Sequence, residues 1–448
     1  MKSKGVINCR SSGVFLAGFV MVFLFTGSFK ANGVLYWDSV LEYQTSNFLA
    51  GSTYVLQASV AFTIAGVAGS IFKGASNRVL GVTGGFLFGL GFICEGLIGE
   101  SLWQLSVFMG ITAIGGGLLH FAMFMAYLEH FQDKFSVAFS ARELSTYIGV
   151  SAMPPLMDYC RSYYGTHSSY LLLGAISWNC IVCGVLLKPA IGFDERGGTF
   201  RDKPLSFMMR LRESVGCMPT DTSFNNVCYK ILAIFSHSPV MNHPNFAIFL
   251  VIHSIFYYTF TAWALYLVPF GTSLGYPSHQ AVYLSTAGGI GGFCGKLLAI
   301  MIFHMNKMTI ISGALLPSCT VCTGLFVYIV TSNYSFLIFA SFICGFGIAY
   351  ADSALNGMIP SYLCNNHLRQ GSAISYLYAG ILMQCGGSLS GAILDVTSSF
   401  TWLFSAMIVS HLCIGVLSVV LHLRHPEGFN CKDTSTEEIA LEEGKLPS

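Results

Sequence analysis

Six ionisable side chains stand inside long apolar stretches of this chain: Lys30, Glu95, Arg142, Glu143, Lys296 and Asp352. A charge at the centre of a hydrocarbon layer costs at least about 2.5–3.5 kcal/mol, so such residues default to binding or relay chemistry. A buried cation gains most when an anion neutralises it, which puts Lys30 first and Lys296 second as binders of an anionic group. An isolated Asp352 has to be neutral or paired, so it can exchange a proton or serve as the partner of a lysine. Arg142 and Glu143 are sequence neighbours and diverge by 100° on a helix. The expectation is therefore that they do not face one partner together, one sealing an inner gate while the other serves a cavity.

Structural explanations compete with these roles. Lys30 lies six residues from the end of its apolar stretch and can snorkel to the interface. Arg142 is as near the opposite end of its own stretch, where gating, snorkelling and solute binding are all open. Glu95, four residues from an edge, reads as an interfacial carboxylate. Three cations against three acids can also pair off as plain salt bridges.

The elements that carry these residues follow from composition. Of 448 residues, 54% are apolar and only 10% charged, too few to coat the roughly three soluble domains that the length would make. A net charge of +1 argues against nucleic acid as a partner. Apolar windows of membrane-spanning length occur at about 13–36, 48–72, 79–99, 104–127, 136–157, 168–188, 245–270, 280–304, 308–330, 335–360, 370–393 and 400–422. They are about twice as long as barrel strands and do not alternate, so the expected class is an all-α membrane protein of twelve transmembrane helices. The first window is too long for a cleavable leader and lacks a small-x-small site after it.

An even number of spans puts both termini on one side. With them lie 18 of the 22 Lys and Arg, against Arg161 alone on the other, which predicts cytoplasmic termini. The expected units are a six-helix bundle over 1–189, a linker over 190–243, a second six-helix bundle over 244–424 and a disordered acidic tail over 425–448. A short amphipathic helix is expected around Phe207–Val215. Arg78 with Gly84, and Lys307 with Gly313, repeat one loop pattern in the two parts. Gly81, Gly85 and Gly89, and again Gly387 and Gly391, make steps that let helices approach closely.

Other signals are set aside. Cys180 with Cys183, and Cys319 with Cys322, have metal-site spacing but lie in apolar helices without His or Asp support, so buried inert thiols are expected. Cys160 is the one thiol expected to face outside, and no metal or cofactor is expected. His120 and His253 can relay protons or simply pack. Asn333-Tyr-Ser335 fits a glycosylation sequon pressed between two helix ends. No phosphate loop, nucleophile elbow or zinc motif stands outside the spans, so no enzyme is expected.

Several stretches resemble the monocarboxylate transporter branch of the major facilitator superfamily. Ser28-Phe-Lys30-Ala-Asn-Gly-Val-Leu-Tyr36 is similar to that branch's Phe-Pro-Lys-Ser and short apolar run. Ser76-Asn-Arg78 with Gly84-Gly85, and His130-Phe131 through Lys134 to Gly149, match its patterns and spacing. Trp178 through Lys188-Pro189 and Ser390-Gly-Ala-Ile-Leu-Asp395 look like its span endings. The resemblance departs in three places. Cys9-Arg-Ser-Ser-Gly13 replaces an acidic lead, Arg142 and Glu143 replace small residues, and Gly295 and Ala299 stand where lactate-type members carry Asp and Arg.

The resemblance implies two six-helix bundles and alternating access at the plasma membrane for a small carboxylate-bearing solute. Lys30 and Lys296 would then bind the solute, with Tyr257, Tyr258 and Trp263 lining the apolar part of its pocket. Asp352, Arg142 and Glu143 would couple protons or gate. A single-span ancillary subunit is a partner for some members. The alternatives are an uncoupled facilitator of amino acids or similar zwitterions, and a non-transporting scaffold or sensor.

Overall fold

The computed structural model describes residues 9–71, 75–131, 135–189, 244–305, 307–363 and 368–424. The expected linker, the Phe207–Val215 helix and the tail all lie outside the described residues. Helices α1 (Cys9–Glu42), α2 (Asn47–Ile71), α3 (Asn77–Ile98) and α4 (Leu102–Phe131) come first. Next are α5 (Phe135–Ser177), α6 (Asn179–Leu186), α7 (Pro244–Ser273) and α8 (Ser278–His304). A π turn (Ile311–Leu315) leads into α9 (Leu316–Val330), then come α10 (Tyr334–Met358), α11 (Leu368–Thr397) and α12 (Phe400–Arg424).

Eleven described stretches are long and apolar enough to cross a membrane, where only helices satisfy their own backbone groups. One of them, Val137–Leu186, is 50 residues long, about twice what a bilayer needs. Gly165, at φ 80° and ψ 173°, breaks it, in a region that an L side chain rarely enters. The expected windows 136–157 and 168–188 lie on either side of that break, so the described residues make twelve passes. This is a multi-pass membrane protein.

The packing repeats itself six helices later. In the first half α1 packs on α5, α2 and α3 on α4, and α3 and α1 on α6. In the second half α7 packs on α11, α8 and α9 on α10, and α9 and α7 on α12. Glycine explains the closeness of several pairs. A Cβ at Gly81 would meet Gly184, one at Gly85 the Cys180 backbone and one at Gly89 the Trp178 ring, so the glycine steps of α3 face α6. The halves meet where α2 runs along α11, α5 along α8 and α1 along α7. The shift of six that matches the two halves also exchanges the α2–α11 contact with the α5–α8 contact.

Candidate functional site

The candidate residues lie along the seams between the halves. The near side is the one where α1 begins, and the far side is opposite. Helix α1 reaches Glu42, beyond the expected end at residue 36, so Lys30 lies twelve residues from its far end. At 1.5 Å per residue that is about 18 Å of helix, beyond what a lysine stem can span. Snorkelling is therefore excluded, and the side chain has no exposed surface. Its ammonium donates to the Trp263 carbonyl at 3.3 Å and sits 4.1 Å from the centroid of that indole ring, across the α1–α7 contact. Among the described residues no carboxylate lies within ion-pair distance of it.

The second lysine is the opposite case. Lys296 Nζ bonds Asp352 Oδ2 at 2.8 Å and lies 3.9 Å from Glu143 Oε2. Tyr257 donates to Asp352 Oδ1 at 3.1 Å, and Asn356 Nδ2 reaches the same oxygen at 3.0 Å and the Tyr257 hydroxyl at 3.0 Å. His253 Nε2 closes that end at 3.3 Å from Asn356 Oδ1. On the other side of Lys296, Glu143 pairs with Arg142 and accepts from Thr146 at 3.2 Å. The network thus runs from α5 of the first half through α8 to α10 and α7 of the second. It holds two cations and two carboxylates and is neutral overall. The 3.9 Å Glu143–Lys296 link is the ion pair that joins the halves among the described residues.

Arg142 and Glu143 pair with each other, the long arginine side chain swinging back to its neighbour, and of the two only Glu143 lies within ion-pair distance of Lys296. Arg142 does not reach an interface. It is 2% exposed, with its guanidinium 4.0 Å from the Phe139 ring centroid. Glu95, in the last turn of α3, is fully buried in the protein and accepts from Tyr43 at 3.1 Å. Burial, reinforced by the nearby Glu95 carboxylate, pushes the Tyr43 phenol above its ordinary pKa, so it stays a donor.

Tyr257 joins the network, whereas Tyr258 does not; its backbone carbonyl packs where a Cβ of Gly386 on α11 would sit. Gly295, at one place of the lactate-type pair, is pressed to α10 where a Cβ would meet the Phe346 carbonyl, and Ala299 is fully buried. Lys296 and Asp352 put an acid and a base together from two neighbouring helices instead. Among the thiols, Cys180 and Cys183 are buried as expected, whereas Cys319 is exposed, contrary to the buried thiol expected there; Cys160, beside Arg161, is buried. No group of three or more metal-ligating side chains occurs among the described residues. Asn333 caps α10, its side chain accepting from Ser335 N at 3.0 Å.

Sequence reasoning missed the partners Asn356, Thr146 and Tyr147; the Tyr147 ring lies 5.5 Å from Lys296 Nζ. Asn356 follows Asp352 by one helical turn, a spacing that puts both on one face and was the available signal. On the far side a cavity of about 310 Å³ opens between α1, α5, α7 and α8, lined by Val34, Trp37, Asp38, Arg161, Val268 and Ser278 among others. Arg161 bonds Asp38 at 2.9 Å and Asp158 at 3.2 Å.

Twelve passes, a repeated packing pattern and charged side chains along the seams define a two-halved polytopic membrane protein. Residues 14–383 match the sequence model of the Major Facilitator Superfamily, and the chain belongs to that family. Monocarboxylate transporter 13 of Rattus norvegicus is 21% identical over 97% of this chain and 94% of its own length. Monocarboxylate transporter 12 of Mus musculus is 21% identical over 78% of this chain and 74% of its own. With Monocarboxylate transporter 14 of Homo sapiens the identity is 24%, over 39% of this chain, and the chain spans about a third (34%) of that relative. A crystal structure of a mutant of the nucleoside transporter NupG superposes with a TM-score of 0.66 at 12% identity, covering 93% of this chain and all of that one. This last likeness is one of fold.

Proposed function

We propose that the chain moves a small carboxylate-bearing organic solute by alternating access, the units 1–189 and 244–424 rocking about the α1–α7 seam. The observation that carries this reading is Lys30. An ammonium offers three donors, and this one uses a single hydrogen bond to a carbonyl, in full burial and away from any carboxylate described. An anion arriving there would neutralise a charge that the protein leaves unpaired. The named monocarboxylate transporters among the relatives point to the same solute class.

Proton coupling is the second part of the proposal. If the network opens as the solute binds, Asp352 would lose its lysine and take up a proton, and linkage makes that dependence mutual. Uptake of labelled monocarboxylates and amino acids, with and without a pH gradient, tests both parts. Uptake should rise as the pH falls on the entry side, and Asp352→Asn should flatten that rise. Uptake that ignores the gradient would favour uncoupled facilitation, and an amino-acid preference would replace the solute class. The reading also places the chain in the plasma membrane with both termini cytoplasmic; a single-span ancillary subunit, a partner of some members of the resembling branch, is a separate question for the same experiments. Tags at the termini and within 190–243 should then be reached only after permeabilisation.

A further inference from the structure

We propose that Asp395 and Asp158 are a pair of latches that hold the far ends of the two halves together. Asp395, near the end of α11, reaches across to the first turn of α2. Its Oδ1 accepts from the Asn47 backbone N–H and the Asn47 side-chain amide at 2.8 Å each, and its Oδ2 accepts from the Phe48 N–H at 2.8 Å. A helix start leaves its first N–H groups without intrahelical partners and carries a partial positive charge, so a carboxylate from the other half is a cap supplied in trans.

A related contact, to a side-chain hydroxyl rather than to backbone N–H groups, stands at the other seam. Asp158 of α5 accepts from the hydroxyl of Ser278, the first residue of α8, across the halves. A shift of six helices turns α2 into α8 and α11 into α5, so the two contacts are equivalents. In each, the fifth helix of one half supplies an aspartate to the start of the second helix of the other. Neither aspartate was among the residues expected to do chemistry, although Asp395 closes one of the family-like stretches.

Each latch sits at the head of a close-packed seam. On α2–α11, a Cβ at Gly391 would meet the Asn47 carbonyl and one at Gly51 the Gly387 carbonyl, while Ser52 bonds Ser388 at 2.8 Å and Gln384 bonds the Ser52 carbonyl at 2.9 Å. On α5–α8, Ser151 and Thr286 exchange hydroxyl-to-carbonyl bonds of 3.1 Å, and Gly289 lies against Ser151. Neither seam can open on the far side without first losing its aspartate contact. The latches differ in strength. Asp395 meets three donors of the other half, whereas Asp158 meets one, on the oxygen that also accepts from Arg161 of its own half. Asp395 is accordingly the principal latch.

The inference rests on the alternating-access reading above but needs no solute to be tested. Val34, 5% exposed, lines the far-side cavity one turn beyond Lys30, and Val34→Cys serves as a reporter of opening. Its rate of modification by a polar thiol reagent is measured on the full chain in membrane fragments open at both faces. The same chain without the reporter supplies the background of native cysteines. Asp395→Asn should raise the rate about fivefold, the scale of losing one helix-capping interaction, Asp158→Asn less, and the pair more than either. An unchanged rate in the folded double variant overturns the proposal. Should the aspartate variants fail to fold, Ser278→Ala removes only the cross-half hydroxyl and leaves every charge in place. A rise of about twofold is then expected, the effect of one net hydrogen bond, and no rise overturns the proposal. If the rises occur in a chain that takes up no carboxylate, the solute reading fails and the latches stand.

Discussion

Lys30 and Lys296 are both buried in mid-helix at a contact between the halves, yet their surroundings are opposite. Lys296 lies between two carboxylates, at 2.8 Å and 3.9 Å, inside a neutral network. Lys30 has an indole face and one carbonyl. A buried charge that the fold neutralises is part of the fold's own electrostatics. One that it leaves unpaired waits for a counter-charge from elsewhere. The difference separates a binding role for Lys30 from a coupling role for Lys296.

The largest effect is expected at Lys30. Lys30→Ala should reduce carboxylate uptake by more than about 100-fold, the scale of losing a buried charge-assisted contact, while the chain still reaches the membrane. Removing an unpaired charge from the interior is no burden on the fold, so the purified variant should melt at or above the wild-type temperature. Uptake close to wild type would move the binding role to Lys296 and erase the distinction.

At Lys296 the damage should fall on stability first. Breaking a buried pair by removing one partner costs roughly 3–5 kcal/mol, and Glu143 stands close enough to absorb part of that cost. Asp352→Ala should therefore lower the melting temperature and the yield, and a second change, Lys296→Met, should restore both. For Lys30 there is no carboxylate partner to remove among the described residues. If Asp352→Ala were as stable as wild type, the Lys296 network would not be the neutralising unit described.

Much of this architecture is legible in the residues before any coordinates. Apolar windows mark the passes, and glycine steps mark helix faces that touch. Lys30, Lys296 and Asp352 stand out because charge inside such windows is costly. What stays hidden is depth and direction. Lys30 looks like a snorkelling residue only because Trp37, Asp38 and Glu42 seem to end the apolar run, whereas the helix continues through them, with Asp38 paired to Arg161. Arg142 and Glu143 look divergent because a helical wheel fixes Cα directions and says nothing about how far a long side chain bends. Asp395 is silent for a third reason: two of its three donors are backbone N–H groups on α2, about 350 residues away, and backbone groups leave no mark on residue type.

Glu143 tests whether the Lys296 network speaks to the other half at all. Glu143→Gln keeps the volume and the Thr146 contact but removes the charge that faces Lys296 at 3.9 Å. Arg142 would lose its neighbour's carboxylate as well, so some loss of stability accompanies the change. Turnover should fall about tenfold, the scale of a weakened coupling of 1–3 kcal/mol, with little change in apparent affinity for the solute. A change confined to affinity would instead place Glu143 beside Lys30 in function, against the geometry.

The smallest effect is expected at Trp263, which sharpens the comparison by altering the neutral side of Lys30. Its carbonyl is present whatever the side chain, so substitution removes only the ring face 4.1 Å from the ammonium. A buried cation–π contact contributes about 0.5–2 kcal/mol, which corresponds to roughly 2- to 30-fold in affinity. The sign depends on what the ring does when the solute arrives. If the indole holds the ammonium in place and the anion adds to it, Trp263→Leu should weaken apparent affinity by about fivefold and Trp263→Phe by less, because a phenyl face keeps part of the attraction. If the ring instead competes with the anion for the ammonium, Trp263→Leu should strengthen affinity. The single carbonyl bond at 3.3 Å leaves the other ammonium donors free, so addition without displacement is the geometry at hand, and weaker affinity is the expected result. Measuring apparent affinity and maximal uptake for both variants decides it, and an increase in affinity would mean that Lys30 is held in reserve by its tryptophan.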